Sequence, residues 1–210
     1  MRIDEILDRA PVIPVLVLDG VHDPAELAAT LVESGLPVIE VTLRTGNALD
    51  AIQAMSLVPG AIVGAGTILN EEQLVQCIQA GAKFAVSPGL TNPLAIAARE
   101  QGIPFLPGVA TAGDIMRGLD VGLDRFNFFP AEAAGWVRVL KDLSAPFGHV
   151  RFCPTGGITQ TSASDWLALP SVDCVGGSWI VPKGATLDGV AGIAREAAGL
   201  AKPSEGRATR

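Results

Sequence analysis

The sequence predicts one α/β domain closed as a (β/α)8 barrel of the TIM type. Three observations lead there. Short apolar runs alternate with amphipathic helical stretches eight times along 210 residues. Those runs are continuous rather than alternating, as in parallel strands covered by helices. Glycine and proline gather after one run after another, always at its C-terminal end.

Taken in order, residues 1–10 read as a short leading helix. Val12-Ile13-Pro14-Val15-Leu16-Val17-Leu18 is the first apolar run. A helix over 23–33 follows, with Asp23 as N-cap, Pro24 at the first helical position and Gly35 past the end. Further strands are expected at 38–42, 61–64, 83–86, 104–106, 125–129, 150–153 and 172–175. The matching helices are expected at 48–56, 71–79, 93–100, 112–119, 136–143, 163–168 and 188–201. An open doubly wound sheet is the alternative, but no strand leads into a GxGxxG turn with an acid about twenty residues on. The chain is shorter than the ~250 residues usual for a barrel, so its loops must be short. The domain is expected to span 1–201, and the polar stretch 202–210 to be disordered.

Composition narrows the function. Hydrophobic residues make up 49% and charged residues 18%, enough for a large core and too few charges for a disordered chain. A net charge of -7 argues against nucleic acid and anionic membrane surfaces as partners. Bound phosphate would have to be held locally, by backbone amides or a single cation. Acids in Met1-Arg2-Ile3-Asp4-Glu5 do not fit an export signal, so a cytoplasmic location is expected. Cys77, Cys153 and Cys174 lack metal-type spacing and read as buried thiols in a reducing compartment. His22 and His149 are the only histidines and lie far apart, which disfavours a histidine-based metal site or triad.

Residues suited to chemistry gather at the strand ends. These read Gly64-Ala65-Gly66-Thr67, Ser87-Pro88-Gly89, Leu106-Pro107-Gly108, Phe129-Pro130-Ala131-Glu132, Pro154-Thr155-Gly156-Gly157 and Gly176-Gly177-Ser178. In a parallel barrel they form one rim, where sites are built; taken singly, each is also an ordinary turn. Glu40, Thr42 and Arg44 are spaced by two and would share the inward face of the second strand. Glu40 and Arg44 then read either as a structural ion pair or as a proton-transfer group and a carboxylate clamp. The paired glycines after strands seven and eight, with the Ser178 hydroxyl, suit a phosphate. Asn127 would point inward between Phe126 and Phe128. It reads either as a hydrogen-bonding core residue or as part of the site.

Together these stretches resemble the KDPG and 4-hydroxy-2-oxoglutarate (KHG) aldolases. The resemblance rests on Ile39-Glu40-Val41-Thr42-Leu43-Arg44-Thr45, Val63-Gly64-Ala65-Gly66-Thr67, Val86-Ser87-Pro88-Gly89, Leu106-Pro107-Gly108-Val109, Phe128-Phe129-Pro130-Ala131-Glu132, Pro154-Thr155-Gly156-Gly157-Ile158 and Val175-Gly176-Gly177-Ser178-Trp179. It implies a homotrimer with no metal or other cofactor, cleaving a phosphorylated keto-deoxy sugar acid to pyruvate and glyceraldehyde 3-phosphate. By resemblance Glu40 is the acid/base, Arg44 and Thr67 bind carboxylate, and Pro88 and Phe129 wall the pocket. Thr155 lies by the reacting centre, and Gly156, Gly157, Gly177 and Ser178 hold phosphate. Two departures stand out. Trp136 replaces a glycine common in the family, and Asn127 falls where the family's imine-forming lysine is expected. An amide nitrogen, its lone pair delocalised into the carbonyl, cannot form an imine. Lys83, Lys141 and Lys183 do not fall where they could take over. The implied state is a binding-competent aldolase with turnover lost or strongly reduced, whether as a lysine-to-asparagine variant or as a natural pseudoenzyme.

Overall fold

A computed structural model, describing residues 1–18 and 20–200, places eight parallel strands in a nearly closed ring. The strands are β1 (Val12–Leu16), β2 (Val38–Thr42), β3 (Ile62–Gly66), β4 (Phe84–Ser87), β5 (Phe105–Val109), β6 (Arg125–Phe128), β7 (Arg151–Pro154) and β8 (Val175–Gly177). Their order is β7-β6-β5-β4-β3-β2-β1-β8. Two parallel bridges, Phe152 to Val172 and Thr155 to Gly176, bring β7 against β8 and close the circle. This is the expected (β/α)8 barrel. The expected disordered stretch, 202–210, lies outside the described residues.

The helices are α1 (Ile3–Leu7), α2 (Pro24–Glu33), α3 (Ala48–Ser56), α4 (Glu71–Gln79), α5 (Asn92–Glu100), α6 (Ala112–Asp120), α7 (Trp136–Ser144), α8 (Ala163–Leu167) and α9 (Leu187–Ala198). Several starts are chemically marked. Asp23 Oδ1 accepts from Ala25 N at 2.9 Å and Glu26 N at 3.1 Å, with Pro24 at the first position of α2. At α6 the Thr111 hydroxyl accepts from Asp114 N at 3.2 Å, and Asp114 Oδ2 accepts from Thr111 N at 2.9 Å, a reciprocal cap. No helix among the described residues is long and apolar enough to cross a membrane.

Two cores result from the period-2 alternation of the strands. The outer one fills the space between strands and helices and takes Ile39, Val41, Val63, Ala65, Phe126 and Phe128. The inner one fills the foot of the barrel with Ile13, Val38, Phe84, Val86, Leu106, Cys153 and Cys174. Ile6 and Leu7 of α1 belong to it, so the leading helix closes the barrel at the end opposite the strand C-termini. Each large apolar side chain buried this way contributes about 1.5–3 kcal/mol. Cys77 joins the outer core, and burial pushes its thiol up to about 11.

Several boundaries differ from expectation, β3 and β5 ending two and three residues later than read, at Gly66 and Val109. The leading helix occupies only Ile3–Leu7, because Arg2 is its extended N-cap and Pro11 follows closely. β8 begins at Val175 rather than 172, because Val172 makes only an isolated bridge to Phe152. A short 3₁₀ helix, Ser178–Ile180, follows β8 and was not expected.

Candidate active site

On β2, Ile39 and Val41 face the helices and Val38 faces the foot of the barrel, so Glu40 and Thr42 face inward. Thr42 Oγ1 donates to the Leu16 carbonyl of β1 at 2.8 Å. Glu40 is 7% exposed. Its surroundings come from β3, whose inward positions are both glycines. At Gly64 the missing side chain is replaced by the Phe84 ring of β4, which occupies the space a Cβ would need. At Gly66 it is replaced by the Glu40 carboxyl: a Cβ there would overlap Oε1 and lie 2.7 Å from Cδ. The acid thus sits on bare backbone near a buried aromatic ring, and no cation among the described residues is paired with it. Burial alone pushes its pKa from the ordinary 4.5 to about 7.

Arg44 corrects the expected strand face. β2 stops at Thr42, and Arg44 is exposed in the turn that leads to α3. That turn is closed by Ala48 N donating to the Thr45 carbonyl, because the helix starts only a few residues after the strand. Among the described residues Arg44 forms no ion pair with Glu40, so the structural-pair reading fails.

Thr67, directly after β3, is half-buried and has φ 62°. A β-branched residue in the left-handed region costs about 1–3 kcal/mol, a kind of strain that gathers at functional sites. Pro88 follows β4 and is half-buried. The Ser87 hydroxyl donates to the Gly89 carbonyl at 2.7 Å and folds this loop inward. Gly108 of β5 admits the loop, since a Cβ there would lie 2.7 Å from Gly89 N.

On β6, Phe126 and Phe128 pack outward, and Asn127 faces inward between Gly108 of β5 and Cys153 of β7. It is 4% exposed, and its Oδ1 has no hydrogen-bond partner among the described residues. Buried acceptors are normally hydrogen-bonded, so this oxygen is open to a donor from water or a ligand inside the barrel. Beyond it the Phe129–Pro130 peptide is cis. Ala131 N and Glu132 N then donate to the carbonyls of Thr155 at 2.9 Å and Gly156 at 3.0 Å. These bonds tie the loop after β6 to the loop after β7. Half-buried Phe129 lies against Gly156, and half-buried Thr155 lies over Gly176.

Gly156 and Gly157 have φ of 106° and 81°, open to glycine and strained for other residues. Gly177 is buried at the end of β8, and exposed Ser178 starts the 3₁₀ helix. A cavity of about 340 Å³ opens beside Ser178, walled by Val15 and Val17 and bordered by His22 and Lys183. Lys83 is exposed just before β4 at the foot of the barrel, and Lys141 is exposed on α7. None of these three lysines stands on a strand.

The strand spacing therefore brought Glu40, Thr42 and Asn127 into the barrel and set the remaining candidates around its mouth. It missed Gly66 as part of the acid's surroundings and treated it as a turn glycine. Its spacing of two from Gly64 was the available signal. Glu132 also had no expected role; its carboxyl lies on the β7 loop, 2.8 Å from where a Gly157 Cβ would be.

The sequence profile described as "Aldolase: KDPG and KHG aldolase" matches residues 3–194. The chain belongs to this family. It is 56% identical over 182 residues to a 2-dehydro-3-deoxy-phosphogluconate aldolase of Zymomonas mobilis, a match covering 87% of this chain and 88% of that one. The crystal structure of the 2-keto-3-deoxy-6-phosphogluconate aldolase of Zymomonas mobilis ZM4 with 3-phosphoglycerate superposes with a TM-score of 0.92. That match has 52% identity and covers 95% of this chain and 96% of that one. A KDPG aldolase from Legionella pneumophila, with pyruvate captured at low pH as a covalent carbinolamine, gives a TM-score of 0.91 at 40% identity. It covers 94% of this chain and 98% of that one.

Proposed function

We propose that this protein is a 2-dehydro-3-deoxy-6-phosphogluconate aldolase in its binding site and a strongly impaired one in turnover. The observation that carries this is Asn127, buried on the inner face of β6 with an unpaired Oδ1, in the position where the resemblance expects the imine-forming lysine. In the amine route the iminium is the electron sink for carbon–carbon cleavage. Asn127 supplies no nucleophilic nitrogen, so cleavage would have to leave an enolate in its place.

The remaining groups keep their assigned tasks in this reading. Glu40, titrating near neutrality in its buried position, holds or gives up a proton at the mouth of the barrel. Arg44 can swing from its exposed turn onto the substrate carboxylate, and Thr67 lies beside it as a hydroxyl donor. Pro88 and Phe129 form apolar walls, and Thr155 lies next to the reacting carbon. Backbone amides at Gly156, Gly157 and Gly177, with the Ser178 hydroxyl, receive the phosphate. The 3-phosphoglycerate and pyruvate held by the two related structures support a site for both ends of such a substrate. Assembly as a homotrimer, a cytoplasmic location and independence from metal belong to the same proposal.

Calorimetric titration with pyruvate and with the phosphorylated substrate, run beside a coupled turnover assay, tests the reading. Measurable binding is expected with turnover several powers of ten below an intact relative, as in nucleophile-deletion series. Turnover at the level of an intact relative would overturn it, and so would the absence of binding.

A further inference from the structure

We infer that Gly66 is a positioning residue for Glu40: its missing side chain is the seat on which the acid's carboxyl is buried. This goes beyond the proposed function, resting on it only for the use of Glu40 as a proton carrier.

The bland explanation of a glycine after an apolar run is a turn that needs left-handed backbone. It does not apply here. Gly66 is the last residue of β3, pairs in register with Thr42, and does not have a positive φ. Space is what the position supplies. A Cβ on Gly66 would overlap Glu40 Oε1 and lie 2.7 Å from Cδ and 2.9 Å from Cγ, so the whole end of the acid rests there. Flexible side chains usually escape such a clash by swinging away. Glu40 has little room to do so, because the neighbouring inward space at Gly64 is filled by the Phe84 ring, itself fully buried. β3 thus offers two vacancies. One is taken from β4 by an aromatic ring and the other from β2 by a carboxyl. Ala65 between them points outward into the helix layer.

The chemical consequence follows from the packing. With an alanine at 66, the carboxyl must leave this seat, and with the Phe84 ring filling the neighbouring space the shift is toward the barrel mouth. There it would behave as an ordinary carboxylic acid. Thr155 is seated on Gly176 in the same way, 2.8 Å from Cγ2 to the would-be Cβ, so the device recurs on the other side of the barrel.

The test is an NMR titration of Glu40, carbon-labelled at its carboxyl, in this chain, in Gly66→Ala and in Gly66→Ala/Glu40→Asp. Folding is checked by thermal melting. The seat predicts that Gly66→Ala lowers the Glu40 pKa by at least about one unit. The aspartate double variant places its carboxyl carbon at the former Cγ position, 2.9 Å from the new methyl, so it needs a smaller shift than Glu40 does and should titrate high for an aspartate. Gly66→Ala that folds and leaves the Glu40 titration unchanged would overturn the inference. If Gly66→Ala does not fold, Gly66→Ala/Glu40→Ala decides: the seat predicts that removing the acid restores folding, and failure of both alike would overturn it. None of these readouts requires aldol turnover, so they stand or fall separately from the aldolase reading.

Discussion

Glu40→Gln should stabilise the protein at pH 8.5 and change little near pH 5. The substitution keeps the shape of the neutral acid and removes its ability to ionise. Burial raises the folded-state pKa from the ordinary 4.5 to about 7. Between those values the folded chain holds a proton that the unfolded chain has released, so stability falls as pH rises through this window and levels off above it. At ~1.4 kcal/mol per pH unit the whole rise corresponds to roughly 3 kcal/mol. About 2.5 kcal/mol of it falls between pH 5 and pH 8.5. Urea unfolding of the parent and of Glu40→Gln at matched pH values gives the difference directly, and other titrating groups cancel. The difference should grow steadily in favour of the glutamine form as pH rises. A flat difference, or one that grows in favour of the parent, would refute the account of Glu40 as an acid desolvated on bare backbone.

Other substitutions probe the same packing and the rim. Phe84→Ala should cost about 3–5 kcal/mol in urea unfolding, since it empties a fully buried ring site that no side chain of β3 can fill. A loss below ~1 kcal/mol would mean that the foot of the barrel collapses freely around it. Trp136, half-exposed with φ 66°, holds a bulky side chain in a backbone region suited to glycine. Trp136→Gly should therefore stabilise the protein by about 1 kcal/mol, strain relief of 1–3 kcal/mol being offset in part by glycine's greater freedom when unfolded. A destabilised variant would show that the ring's packing outweighs the strain.

Much of the architecture could be read directly from the chain. β2 lies at 38–42 as read, because Val38, Glu40 and Thr42 alternate with Ile39 and Val41 and the two sets face different cores. α2 begins at Pro24 behind Asp23, where cap and proline together leave one good starting point. Reading failed where the answer depended on a neighbouring strand. The extent of β8 is decided by pairing with β1, and Gly176-Gly177 look like turn residues until that register is known. Arg44 fits the face of Glu40 by spacing, but the strand has already ended when the chain reaches it. The pairing of Phe84 with Gly64 and of Glu40 with Gly66 joins residues on three strands. Spacing within a single strand carries no information about which neighbour fills a vacancy. Asn127 was legible as inward-facing from Phe126 and Phe128. The unpaired state of its Oδ1 became visible only with the surrounding residues in place.

The central claim is that one missing amine separates this chain from a working aldolase. Borohydride reduction in the presence of pyruvate, followed by intact mass measurement, tests it most directly when this chain and Asn127→Lys are treated side by side. A reduced imine leaves pyruvate covalently attached to the lysine that formed it. The account predicts an adduct on Asn127→Lys and none on the parent. An adduct on the parent would mean that another lysine reaches the site, and an Asn127→Lys protein that folds but takes no pyruvate would mean that the pocket itself is not intact.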